Sequence, residues 1–215
     1  MKLISWNVRG LGRPRTVRRL QHWLRDVNPT VIFFIETKLQ SDKMEKVRRK
    51  CGYPNGIDVG ARGRSGGLCL AWRDDCHVSL RSFSDRHIDV LITKDSDGSR
   101  WRCTGFYGAP EEQNRGESWN LLRQLDDLSE VPWLVIGDFN ELLFSFEKMG
   151  GLLRSQRQMD AFRMALDDCS LSDIGYQGRW FTWEKGKFES TNIRERLDRG
   201  GLRMRLGGLC SRILL

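Results

Sequence analysis

The sequence is short of the features that mark several protein classes. No apolar run in its 215 residues approaches the ~18 needed to cross a bilayer. Arg9, Arg13 and Arg15 interrupt any stretch that could serve as a secretory signal. The six cysteines, Cys51, Cys69, Cys76, Cys103, Cys169 and Cys210, form no CxxC pair and no zinc-like Cys/His spacing. Prolines number five, and no Pro/Ser-rich linker, low-complexity tract or internal repeat interrupts the chain. These absences argue against a membrane protein, a secreted disulfide scaffold and a string of small modules. They leave one reduced, monomeric domain of the nucleus or cytoplasm, long enough to bury a sizeable α/β core.

Acid is scarce at both ends. Residues 1–25 carry seven Lys/Arg and no Asp/Glu, and residues 199–215 again hold no acid. The net charge of +8 and pI near 9.4 point to a polyanionic partner, with nucleic acid favoured over a small anion.

The chemistry concentrates around Pro132-Trp-Leu-Val-Ile-Gly-Asp-Phe-Asn140. Trp133 to Ile136 is uncharged and suits a strand buried on both faces. Gly137 breaks the pattern, and Asp138 and Asn140 follow two apart, which puts both side chains on one side of an extended chain. A carboxylate that takes a proton, beside an amide that donates to a phosphate oxygen, suits phosphoryl transfer. A strand end closed by an Asx-turn reads the same residues without chemistry.

Other strands end in the same way. Lys2–Trp6 reads as a strand followed by Asn7-Val-Arg-Gly-Leu-Gly12, whose glycines allow a tight turn. Pro14 opens a helix with Val17, Leu20, Leu24 and Val27 on one face, closed at Asn28-Pro29. Val31–Ile35 is a second buried strand, ending on Glu36. Residues 41–51 read as a basic helix, and Leu68–Trp72, Val78–Phe83, His87–Thr93 and Ser99–Tyr107 as strands, with a hairpin turn at Asp95–Gly98. Asp74–His77 reads as a polar loop. Ser118–Leu128 and Ser155–Cys169 are expected as helices and Arg179–Trp183 as an aromatic strand. In layered α/β folds ligands gather at strand ends, so Asn7, Glu36, Tyr107, Asp138 and Asn140 are candidates to converge.

Those positions, in that order, resemble the endonuclease/exonuclease/phosphatase superfamily. The matching pieces are Ser5–Gly10, Ile35-Glu36-Thr37, Phe106-Tyr107-Gly108 and Gly137–Asn140, extended by Leu197-Asp198. Trp6–Gly12, Glu36-Thr37-Lys38, Ser65–Leu68, Phe181-Thr182-Trp183 and Arg196–Arg199 are similar to the endonuclease domain of plant LINE-type non-LTR retrotransposons. The resemblance covers about residues 1–199. It implies an α/β fold, a two-sheet β-sandwich flanked by helices, and hydrolysis of a DNA phosphodiester with Mg²⁺, or Mn²⁺ in its place. By the same resemblance Glu36 and Asn7 hold the metal, Asp138 activates water with Asn140 as partner, and Tyr107 lies at the phosphate. Asp198 is the aspartate that orients the family's histidine, and Thr182 lies where LINE-type enzymes contact DNA. On its residues alone, Asp198 among Arg194, Arg196 and Arg199 also reads as a surface ion-pair residue.

Two departures stand out. Arg9, a candidate for substrate binding, occupies the place two residues after Asn7 where repair-type members carry an acid. The family's closing Ser-Asp-His is absent: His22, His77 and His87 are the only histidines, none at a matching position. The Gly/Leu/Arg-rich residues 200–215 are therefore expected to be a divergent or truncated tail with the sheet's final strands missing. The competing readings are an impaired DNA endonuclease, a non-catalytic nucleic-acid binder, and a small-molecule phosphatase of the same superfamily.

Overall fold

The computed structural model describes residues 1–63, 65–127, 131–176 and 178–203, and the backbone of 212–214. The chain opens β1 (Lys2–Asn7), α1 (Pro14–Val27), β2 (Val31–Ile35) and α2 (Ser41–Lys50). A run of strands follows: β3 (Asn55–Val59), β4 (Leu68–Trp72), β5 (Cys76–Phe83), β6 (His87–Lys94) and β7 (Arg100–Tyr107). Then come α3 (Arg115–Leu125), β8 (Trp133–Asp138), β9 (Lys148–Met149), α4 (Gln156–Asp168) and β10 (Ser172–Asp173). The last described strands are β11 (Trp183–Lys185), β12 (Ile193–Glu195), β13 (Asp198–Arg203) and β14 (Arg212–Leu214).

Strand periodicity divides each buried strand between two environments. In β2, Val31, Phe33 and Ile35 face one cluster with Leu68, Leu70, Val90, Cys103 and Ile136. Ile32 and Phe34, one step out of phase, face Leu20, Leu24 and Met44 of α1 and α2. In β8, Val135 and Trp133 likewise meet Trp119, Leu122, Phe162 and Leu166 of α3 and α4. Such double burial explains why these strands carry no alternating polar residues. The result is two sheets face to face with a helix pair outside each.

The five-stranded sheet runs β14-β1-β2-β4-β3 and the six-stranded one β10-β13-β8-β7-β6-β5; β11-β12-β9 make a small third sheet. Two adjacent pairs between long strands are parallel, β1 with β2 and β7 with β8. Helices α1 and α3 supply the crossovers that parallel pairing demands.

Four local expectations shift. Cys76 and His77 belong to β5 instead of a loop, because the Cys76 side chain is buried in the sandwich. Helix α3 begins at Arg115, whose buried guanidinium meets Glu141 at 2.8 Å, and ends at Leu125 with Asp126 extended, short of the expected Leu128. Arg179–Thr182 are not strand. Only Trp183 onward pairs with β12, while Trp180 packs against other rings. The stretch Arg194–Arg199 changes sheets at Arg196 and Leu197, between β12 and β13. The tail expected from residue 200 onward starts later, because β13 continues through Gly200 to Arg203 paired with β8, with Gly200 close against Ile174. The backbone of β14 pairs in parallel with Lys2–Ile4.

Candidate active site

The site forms where strands of both sheets stop together. Parallel pairing sets Asn7 beside Ile35, so Asn7 and Glu36 emerge as neighbours at the edge of the first sheet. In the second sheet, parallel pairing sets Tyr107 beside Asp138. Antiparallel β13 begins where β8 ends, which places Asp198 opposite Asp138.

Two hydrogen bonds join the sheets at this point. Asn7 Nδ2 donates to Asp138 Oδ2 at 3.0 Å, and the Tyr107 hydroxyl donates to Glu36 Oε1 at 2.9 Å. Asp138 Oδ1 also accepts from the Asn140 amide at 3.0 Å. The Asx-turn and the chemical reading of this stretch are therefore compatible, since one carboxylate does both. The Asn140 side chain donates to the Gly108 carbonyl at 2.9 Å, tying the two strand ends together.

The backbone is under tension here. Among the described residues six non-glycine residues have positive φ, and four of them, Arg9, Glu36, Lys38 and Asn140, lie in or beside this cluster. Such conformations cost of order 1 kcal/mol or more each and persist where surrounding contacts impose them. Gly137 serves a different need: a Cβ there would stand 1.9 Å from the Phe106 carbonyl oxygen. Glu141, next to Asn140, is fully buried and held by Arg115 at 2.8 Å and Arg154 at 3.1 Å, which fixes the loop behind the site.

Burial pushes the Asp138 carboxyl above its ordinary range, while the Asn7 and Asn140 donors pull the other way. Burial, with the Asp138 charge second, pushes Asp198 up to about 8. Burial and the Glu36 charge raise Tyr107, so its phenol stays a neutral donor. Exposed Arg9 lowers both aspartates and donates its backbone N–H to Asn7 Oδ1 at 3.2 Å. Thr182 Oγ1 accepts from the Leu197 and Asp198 amides, both at 3.0 Å, at the start of β13.

All eight residues expected from the sequence thus assemble in one region. Among the described residues Asp198 forms no ion pair; its strand partner is a second aspartate. Three neighbours were not singled out as site residues, although Lys38 and Gly108 lie within the matched motifs. The Lys38 ammonium lies 3.4 Å from Glu36 Oε2. Arg86 sits over the Tyr107 ring at 5.6 Å, and its carbonyl accepts the Tyr107 amide at 2.8 Å. Gly108 supplies the carbonyl for Asn140. Lys38 stood within a matched motif, but its reach to Glu36 depends on a left-handed turn that motif wording does not encode. Among the described residues no histidine joins the cluster. His87 pairs with Phe106, on the strand face away from Tyr107, and its ring is held by Ser82 and Ser84.

The sequence profile of the Endonuclease/Exonuclease/phosphatase family matches residues 4–199. The chain belongs to this family. Its name covers enzymes that cleave phosphoester bonds, and the fold agrees with solved relatives. An AP endonuclease from Leishmania major superposes with a TM-score of 0.71 at 18% identity, covering 93% of this chain and 78% of that one. A 3′ phosphatase from Neisseria, solved with a product DNA hairpin, gives 0.67 at 17% identity over 93% and 85%. The endonuclease domain of TRAS1, a telomere-specific non-LTR retrotransposon, gives 0.65 at 12% identity over 92% and 83%. No curated protein shows a significant match to the chain. Among the described residues no helix is long and apolar enough to cross a membrane.

Proposed function

We propose that this family member is a divalent-cation-dependent phosphodiester hydrolase acting on DNA, the endonuclease of a plant LINE-type retroelement. The observation that carries it is Asp138: a buried carboxylate fixed by one donor from each side, Asn7 and Asn140, and ringed by Glu36, Tyr107 and Asp198. The motif wording at Trp6–Gly12, Phe181–Trp183 and Arg196–Arg199, and the likeness to a retrotransposon endonuclease domain, support the retroelement assignment.

The donor set fits a hard cation. Glu36 offers a carboxylate and Asn7 an amide oxygen, with no sulfur or imidazole among the described residues of the cluster. Mg²⁺ (or Mn²⁺) is commonly held by few protein ligands and several waters, which one carboxylate and one amide oxygen can supply. Such an ion, when bound, neutralises charge that develops on the phosphate and the leaving oxygen.

The chain's own residues do the rest. Ionised Asp138 orients a water and takes its proton, its two oxygens aimed by Asn7 and Asn140. The Arg9 guanidinium is a charged donor for the phosphate, and the Tyr107 hydroxyl, whose one proton is given to Glu36 Oε1, can turn it to the phosphate instead. Asp198, holding its proton up to about 8, is a carboxylic acid able to donate at neutral pH.

Nicking of supercoiled plasmid with Mg²⁺, lost in Asp138→Ala and in Glu36→Ala, is the expected result. Equal nicking by both variants overturns the proposal. A second reading rests on the lack of a histidine in the cluster: a non-catalytic nucleic-acid binder. Losing one such transition-state stabiliser costs ~10²–10³ in rate. Salt-sensitive DNA binding by folded protein without any nicking would favour that reading.

A further inference from the structure

Beside the site lies a row of rings that neither the core nor the chemistry uses. Phe144, Phe146 and Tyr176 are 43%, 64% and 52% exposed. Phe144 stacks on Phe146 with centroids 5.3 Å apart and planes within 8°. Phe146 stacks on Trp180 at 5.9 Å, and Tyr176 meets the Trp180 edge at 4.7 Å. Exposed aromatics scattered singly need no explanation, but four in contact do.

The rings are held from within by guanidinium groups. Arg196 lies 4.9 Å from the Trp180 ring centre and 5.6 Å from that of Tyr176, and Arg163 lies 5.1 Å from that of Phe144. Arg196 is itself buried and fixed by Glu147 and Asp173, both at 3.1 Å. A surface set in this way does not have to be ordered when something lands on it.

Two chain connections tie the row to the catalytic cluster. Phe144 follows Asn140 by one loop, pinned where the Leu143 amide meets Glu147 Oε2 at 2.6 Å. Trp180 stands two residues before Thr182, whose hydroxyl accepts the Asp198 amide. Exposed Arg179 adjoins Trp180, and the whole chain carries +8, which suits a polyanion bearing flat apolar groups.

We propose that Phe144, Phe146, Trp180 and Tyr176 form a stacking platform for unpaired nucleobases, so that the substrate is a nucleic-acid strand single-stranded beside the scissile phosphate. This rests on the nucleic-acid reading of the site and narrows it. Every base has a π-face, so the platform reads strandedness and not sequence. Paired bases in a duplex keep their faces covered by their own neighbours.

The test is binding of a short oligonucleotide carrying 2-aminopurine, in chelator, to the full chain and to Phe146→Ser and Phe146→Trp. The single strand should lose fluorescence on binding, and the matched duplex should bind more weakly with no further quenching. Phe146→Ser, at an exposed position, should lose about fivefold or more in single-strand affinity together with the quenching, and Phe146→Trp should restore both. Equal affinity and quenching for wild type and Phe146→Ser, at unchanged circular dichroism, overturns the platform, as does unquenched binding that favours duplex. Hydrolysis of bis(p-nitrophenyl) phosphate separates the two proposals. A chain that lacks this activity yet shows Phe146-dependent quenching keeps the platform and loses the enzyme. Activity in wild type and Phe146→Ser alike, with no quenching in either, does the reverse.

Discussion

Asp138 and Asp198 stand directly opposite each other in the antiparallel ladder between β8 and β13. Two carboxyl groups so placed do not both ionise cheaply. An unfolded chain releases the Asp198 proton near 3.8, whereas the folded protein keeps it to about 8. The folded state therefore binds the extra proton between those values. This contribution to stability is fully present below 3.8 and is lost as pH rises through about 8. Urea midpoints measured in chelator should fall from pH 5 to pH 8.5, less steeply for Asp198→Asn.

His87 works in the opposite sense. Burial lowers its pKa from 6.5, so the unfolded chain takes up a proton that the folded one refuses. Its contribution is present above 6.5 and is lost as pH falls through the lowered value. His87→Gln should flatten the acid limb of the same urea series while leaving the limb near pH 8 in place.

Asn7 is the donor from the first sheet that aims Asp138. Asn7→Ala should lower kcat of Mg²⁺-dependent nicking by ~10², with the melting temperature within a few degrees of wild type. A large drop in stability with little loss of rate would assign Asn7 to structure instead.

The 3.4 Å approach of Lys38 to Glu36 Oε2 puts an ammonium where a cation would compete for the same carboxylate. The pair is partly exposed, so its worth is ~0.5–1 kcal/mol. Lys38→Met should lower the half-saturating Mg²⁺ concentration about two- to fivefold, read by titrating nicking rate against metal.

Arg199 and Glu147 are both buried and meet at 2.8 Å, with Arg196 on the other carboxylate oxygen at 3.1 Å. Glu147→Ala leaves two buried guanidinium groups short of a partner and should cost ~3–5 kcal/mol in urea unfolding. The exposed pair of Arg194 and Glu184 should cost under ~1 kcal/mol when broken.

Much of this was legible in the chain itself, because apolar period marks burial directly. Val31–Ile35 and Trp133–Ile136 read as doubly buried strands, and the Met159, Phe162, Ala165 and Leu166 face as helix, as found. The polar ends Asn7, Glu36, Tyr107, Asp138 and Asn140 were visible because each stands at or just past the end of an expected strand. What stayed hidden depends on pairing and not on pattern. Nothing near Asp198 states that it will face Asp138, nor near Arg86 that it will lie over Tyr107, since register is fixed by contacts distant in sequence. Arg179–Thr182 carry strand-forming residues, yet Trp180 is drawn instead to Arg196 and Phe146.

The two bonds that join the sheets also set when the cluster at the strand ends can form. Asn7 and Asp138 lie 131 residues apart in the chain, and Glu36 and Tyr107 lie 71 apart. Closing loops of that length comes late in folding, after local helices and hairpins. No nascent fragment short of β8 and β13 holds all of these residues. The cluster, and any activity built on it, is complete only with the last long-range closure.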